Sequence, residues 1–114
     1  MNSPEVSYAG CTATVVLITQ TDIICANAGD SRTVLCRKGL AVDMSVDHKP
    51  DDDGESSRIH KAGGFVEDGR VNGMLALSRA LGDFEYKGNE LFKKKDQVVT
   101  AFPDIKVEHI GRDA

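Results

Sequence analysis

Between Cys11 and Ala28 the chain reads CTATVVLIT, then the polar Gln20-Thr21-Asp22, then IICANA. Both apolar runs are rich in β-branched residues, which suit a pleated, half-buried surface, and the polar break between them is the length of a turn. This is the pattern of a β-hairpin, and it commits the first part of the chain to antiparallel sheet.

The following residues extend the same pattern. Gly29-Asp30-Ser31 interrupts the second strand before a third at Thr33-Val34-Leu35-Cys36, and Arg37-Lys38-Gly39 turns the chain into a fourth. There Leu40, Val42, Met44 and Val46 alternate with Ala41, Asp43, Ser45 and Asp47, the two-residue period of a strand with one buried face. The expectation is a run of antiparallel strands in series.

Pro50 stops that run, and Asp51-Asp52-Asp53 leads into a helix expected over Glu55 to Ala62, where carboxylates complement the free N–H groups and the helix dipole. Gly63-Gly64 closes it. Asp68-Gly69, between Phe65-Val66-Glu67 and Arg70-Val71, supplies the two positive φ angles of a type I′ turn and predicts a second hairpin. From Met74 to Leu81 no signal separates strand from helix. The polar, irregular stretch from Glu85 to Thr100 reads as a surface flap ahead of a last strand, Ile105 to Ile110. The class is α+β.

Composition bounds the function. A chain of 114 residues fits one domain, and with 5% aromatic residues and no tryptophan its core is aliphatic. The net charge of −4 disfavours affinity for nucleic acid or anionic membrane. No apolar run approaches the roughly 18 residues of a spanning helix, and the start at Met1 has no secretory pattern. A soluble cytoplasmic or nuclear protein, not secreted, is expected. Three cysteines, Cys11, Cys25 and Cys36, lie in apolar segments without CxxC spacing, which predicts buried reduced thiols rather than disulfides or zinc.

Most motif tests are negative. Aligning Asp51-Asp52-Asp53-Gly54 with a calcium loop puts Lys49 and His60 at ligand positions. GxGxxG, GxxxxGK[ST] and GxSxG are absent, and His48, His60 and His109 lack metal-ligand spacing. Lys93-Lys94-Lys95 reads as a solvated run.

A series of strings in order nevertheless resembles the central part of the PP2C family of metal-dependent serine/threonine phosphatases. They are Gly10-Cys11-Thr12-Ala13, Ala26 to Arg32 (ANAGDSR), Val46 to Pro50 (VDHKP), Arg58-Ile59 with Ala62-Gly63-Gly64, Arg70 to Gly73 (RVNG), Leu75 to Phe84 (LALSRALGDF) and Thr100 to Ile105 (TAFPDI). The resemblance implies that residues 1–114 are the central part of one phosphatase domain. Its fold would be an antiparallel β-sandwich flanked by helices, truncated at both ends, with a flap over about residues 85–103.

It also implies hydrolysis of phosphoserine and phosphothreonine by a water activated by Mg2+ or Mn2+. In the family the main metal carboxylates come from DGHGG-like, DGxWD-like and DN-like motifs, and none of these occurs in this sequence. The resemblance therefore implies no catalytic residue here and little metal held by this chain alone. It assigns Asp30, in AGDSR, to an additional weaker metal site and Arg79, in LSRALGD, to flap support or contact with a phosphorylated protein substrate. A non-catalytic, PP2C-like binding module is the alternative. Exposed sheet surfaces left by truncation imply a homo-oligomer.

Overall fold

The computed structural model describes residues 8–111. The first hairpin forms as its composition requires. Strands β2 (Ala13–Ile18) and β3 (Asp22–Ala28) pair antiparallel from Ala13 opposite Ala28 to Ile18 opposite Ile23. The turn is closed by the Thr19 N–H on the Asp22 carbonyl at 2.8 Å. Cys11 lies outside this hairpin, in a two-residue strand β1 (Gly10–Cys11).

The serial arrangement expected for the next strands is not what forms. Strands β4 (Val34–Arg37) and β5 (Leu40–Asp43) make a hairpin of their own, turned at Lys38 and Gly39 with φ of 52° and 76°. The other edge of β3 is taken by β9 (Asp104–His109), giving the order β2-β3-β9. The break lies at Gly29, whose φ of 117° turns the chain out of the β3 direction. The alternation from Leu40 to Val46 also fails as a single strand. Met44 is buried while Leu40 and Val46 are exposed, because the chain leaves β5 after Asp43 and the Met44 N–H bonds back to the Thr33 carbonyl at 3.0 Å.

Register assigns the two faces of the three-stranded sheet, since directly opposed residues point the same way. On one face lie Thr14, Val16, Cys25, Asn27, Asp104 and Lys106. The β4–β5 hairpin and the segment after it cover this face. Thr14 Oγ1 meets Thr33 Oγ1 at 2.6 Å, Asn27 Nδ2 donates to the Val46 carbonyl at 3.3 Å, and the Arg37 guanidinium pairs with Glu108 at 2.9 Å. The other face carries Val15, Leu17, Ile24, Ala26, Ile105 and Val107. Of these, Val15, Leu17, Ile105 and Val107 are between 47% and 61% exposed, an apolar surface with no cover among the described residues.

Helix α1 (Asp53–Lys61) starts two residues before its expected position and takes Asp53 and Glu55 into its first turn. It ends in a Schellman arrangement, with the Gly64 N–H on the Ile59 carbonyl at 2.9 Å and the Gly63 N–H on the His60 carbonyl at 3.1 Å, Gly63 holding a φ of 94°. The Asp68-Gly69 hairpin joins β6 (Val66–Glu67) and β7 (Arg70–Val71) as its turn residues require. The undecided stretch after Met74 yields only short pairings, Val71 with Leu75, Arg79 with Thr100, and β8 (Leu81–Gly82) with β1.

The core joins helix and flap: Ile59, Ala62, Val71, Ala80, Tyr86, Val98 and Val99 are buried together. The segment read as a polar surface flap therefore contributes packing residues at both ends, and Gln97 and Thr100 are buried beside them. Of the cysteines, only Cys25 is buried; Cys11 and Cys36 are exposed, because each lies on a short, peripheral strand pair. All are free thiols.

Ile59 is fully buried and Ile18 is 68% exposed. Ile59→Ala should cost about 2–5 kcal/mol and Ile18→Ala less than about 0.5 kcal/mol, read from urea unfolding midpoints at dilute protein.

Candidate functional site

The loop after β3 and the segment after β5 form the site. Gly29 lets this loop pass close to two other segments: a Cβ there would lie 2.4 Å from the Thr12 methyl and 2.9 Å from the Arg79 carbonyl. Two hydrogen bonds join Gly29 to His48, one from the His48 N–H to the Gly29 carbonyl and one from the Gly29 N–H to His48 Nδ1, both at 3.0 Å. Since Nδ1 accepts, the ring proton belongs on Nε2, which donates to Asp104 Oδ2 at 2.8 Å. His48 is buried and both ring nitrogens are engaged, so it acts as a spacer and not as a free base.

Asp104 connects this loop to a larger network. Its other carboxylate oxygen accepts from Arg79 Nη1 at 3.1 Å, and the same nitrogen donates to the Phe102 carbonyl at 3.0 Å. The remaining nitrogens of Arg79 grip Glu55 in a bidentate pair, Nε to Oε1 and Nη2 to Oε2, both at 2.8 Å. Glu55 Oε1 also accepts from Ser78 Oγ at 2.8 Å and from Arg58 Nη1 at 3.0 Å. Arg58 then donates to the carbonyls of Ser78 and Gln97 at 2.7 and 3.0 Å. A continuous polar path thus runs from α1 through Arg79 and β9 to the loop that carries Asp30.

Electrostatics follow this geometry. Burial alone would raise the Glu55 pKa, but hydrogen bonds from Arg79, Ser78 and Arg58 outweigh it and hold the carboxyl down to about 2. The Glu55 hydrogen bond raises Arg79 above its ordinary range. For Asp104, burial pushes upward while the bond from His48 and the charge of Arg79 bring the carboxyl below its usual value.

Of the residues the sequence singled out, Asp30 sits at the loop tip with Oδ2 at 2.9 Å from Lys49 Nζ. Arg79 borders a shallow cleft with Gly54, Arg58, Lys95 and Phe102, but each of its nitrogens already has a protein acceptor. Its geometry is that of a clamp. The two residues are not in contact; Gly29, His48 and Asp104 connect them. Among the described residues no group of three or more His, Cys, Asp or Glu side chains is placed to hold a metal ion. One carboxylate already paired with an ammonium does not fit a two-ion centre.

Glu55, Arg58, His48, Lys49 and Asp104 were not picked out as site residues. One signal was available: Glu55 precedes Ile59 and Ala62 by four and seven residues, which places a carboxylate on the apolar stripe of the helix. A charge on that stripe requires partners.

Comparison with known proteins identifies the architecture. A family model described as Protein phosphatase 2C matches residues 1–114. Protein phosphatase 2C 1 of Paramecium tetraurelia is 61% identical over 88% of this chain and 33% of its own length. Protein phosphatase 2C homolog 2 of Schizosaccharomyces pombe is 58% identical over 92% of this chain and 29% of its own. The crystal structure of a phosphatase from Toxoplasma gondii superposes with a TM-score of 0.75 at 43% identity, covering 77% of this chain and 28% of that one. The chain spans about a third of the length of the curated relatives it matches.

The depressed Glu55 pKa sets an acid limit. The folded carboxyl titrates near about 2 against an ordinary 4.5, so its stabilisation is complete above about pH 4.5 and is lost as pH falls toward 2. Glu55→Gln should lower stability at neutral pH and flatten that part of the profile, measured as urea midpoints between pH 2 and 7.

Proposed function

The chain belongs to the protein phosphatase 2C family, and from that premise we propose that it is the central part of a domain that hydrolyses phosphoserine and phosphothreonine in proteins. The observation carrying this reading is the match along the whole chain, from the strand at Gly10 to the one at Asp104. Hydrolysis of a phosphate monoester needs a positioned water and neutralisation of the phosphoryl oxygens, which Mg2+ or Mn2+ supplies when bound. Among the described residues no such ligands are grouped. In this reading Asp30 contributes one carboxylate, and the other ligands belong to the part of the domain that this third of the relatives' length does not span.

What the chain itself supplies is a support. The Glu55–Arg79 clamp ties the base of the flap to helix and sheet, and Arg79 stiffens the cleft wall on which a phosphorylated protein segment would lie. A cytoplasmic or nuclear site of action accords with substrates of that kind. The bare face formed by Val15, Leu17, Ile105 and Val107 favours self-association of the isolated chain, because burying it removes apolar area from water.

Two outcomes are expected. The 114-residue chain alone should show no Mn2+-dependent turnover of a phosphoserine peptide, whereas a longer protein containing it should show turnover that EDTA abolishes. A longer protein that binds phosphoprotein without turnover would instead support a non-catalytic module. Light scattering of the isolated chain should show mass increasing with concentration; a concentration-independent monomer would refute the association.

A further inference from the structure

The flap meets β8 across an apolar cleft that the phosphatase reading leaves without a role. Its volume is about 390 Å3, within the range of small-molecule sites, and Leu81, Phe84 and Ala101 supply its walls. The polar groups at the cleft are either cationic or already engaged. A single 3-10 turn, Phe84–Tyr86, buries Tyr86, and the Lys87 N–H on the Phe84 carbonyl at 3.0 Å brings the next residue back over the Phe84 ring, with Nζ 5.8 Å from its centroid. Lys87 Nζ donates to the Ala80 carbonyl at 2.6 Å, which fixes the ammonium at the cleft. Lys94 stands at the wall as well, its carbonyl held by Thr100 Oγ1 at 3.0 Å. Gln97 places its amide protons on the carbonyls of Asn89 and Phe92 and its oxygen on the Asn89 N–H. Among the described residues no carboxylate lines the cleft.

We propose that this cleft binds a small apolar carboxylate, an aromatic or aliphatic acid whose body fills the cleft and whose carboxylate accepts from Lys87, with Lys94 adding charge at the rim. This assignment rests on the cleft alone and not on the phosphatase reading above.

Charge and shape choose the occupant. Leu81 and Phe84 are both exposed, so an apolar group seated against them leaves water, as does the surface it covers. An ammonium with one proton on a carbonyl has two more to donate, and a carboxylate is the acceptor that matches its charge. Burial is the largest influence on Lys87 and lowers its pKa, opposed by the charges of Asp83 and Cys11; a bound anion would favour the ammonium that burial disfavours. A peptide segment suits the cleft less well, because its backbone needs donors and acceptors along its length and the Gln97 amide is already used. The same stretch of flap serves two clefts: Lys94, Gln97 and Ala101 line this one, while Lys95, Asp96 and Thr100 line the one beside Arg79.

The test is a titration of the 15N-labelled chain with 2-naphthoate and with 2-naphthamide, its uncharged counterpart, following amide chemical shifts. Naphthoate should move residues 81–88 and 97–101 saturably, and naphthamide should bind about tenfold more weakly, the factor of one hydrogen bond to a charged group. Lys87→Met should weaken naphthoate by a similar factor, and Lys87→Arg should retain it. Ala101→Leu, which fills the cleft and keeps both lysines, should abolish binding, whereas Lys95→Met in the neighbouring cleft should leave it unchanged. Unchanged amide positions away from the cleft report that each variant is folded; if Lys87→Met does not fold, naphthamide and Ala101→Leu still decide. Equal affinity for the two compounds would overturn the carboxylate site. So would shifts confined to residues 15–17 and 105–107 of the bare sheet face, loss of binding in Lys95→Met, or no saturable shift at millimolar naphthoate. Saturable shifts at the cleft with a short acidic, apolar peptide but not with naphthoate would overturn it in favour of a protein partner.

Discussion

The bidentate contact between Glu55 and Arg79 is the interaction on which the rest of the structure depends. It brings a helix residue, the segment leading to β8 and, through the exposed Asp104, the last strand into one network. Charges removed from water are costly, and the cost is met here by a second arginine, a serine hydroxyl and backbone carbonyls. Removing one member would strand the others; breaking buried pairs of this kind costs about 3–5 kcal/mol. The network orders flap and helix against one another more specifically than the small aliphatic cluster of Ile59, Val71 and Val99 could alone.

The Asp30 loop inherits its position from that network. Its sharp entry at Gly29 is held by His48, which bonds the Gly29 amide with one ring nitrogen and Asp104 with the other. Loop residues so held can present a carboxylate at a fixed place without a local core of their own. The same placement delivers Lys49, so the loop carries a charge and its compensating partner together.

Much of this was legible from residue order. β-branched runs gave the first hairpin, Asp68-Gly69 the second, and Gly63-Gly64 the helix end, because local backbone requirements decide those features. Strand partners were not legible: whether β3 pairs onward with β4 or with β9 is settled by a turn angle at Gly29 and by residues far along the chain. The Leu40 to Val46 alternation misled because the burial of Met44 comes from a loop folding over a sheet, not from a strand face. Asp30 was found through family likeness alone, and the partners of Arg79 could not be found that way, since Glu55 and Asp104 flank it at 24 and 25 residues' distance with no shared motif.

The pairing of β3 with β9 has a consequence in time. Asp22 and His109 are 87 residues apart, and closing so long a segment must wait for the entropy of the intervening chain to be offset. Hairpins β2–β3 and β4–β5 can zip as soon as each turn exists. His48 acquires its second partner only when Asp104 arrives. During synthesis, the Asp30 loop therefore remains half-anchored until Asp104 has left the ribosome.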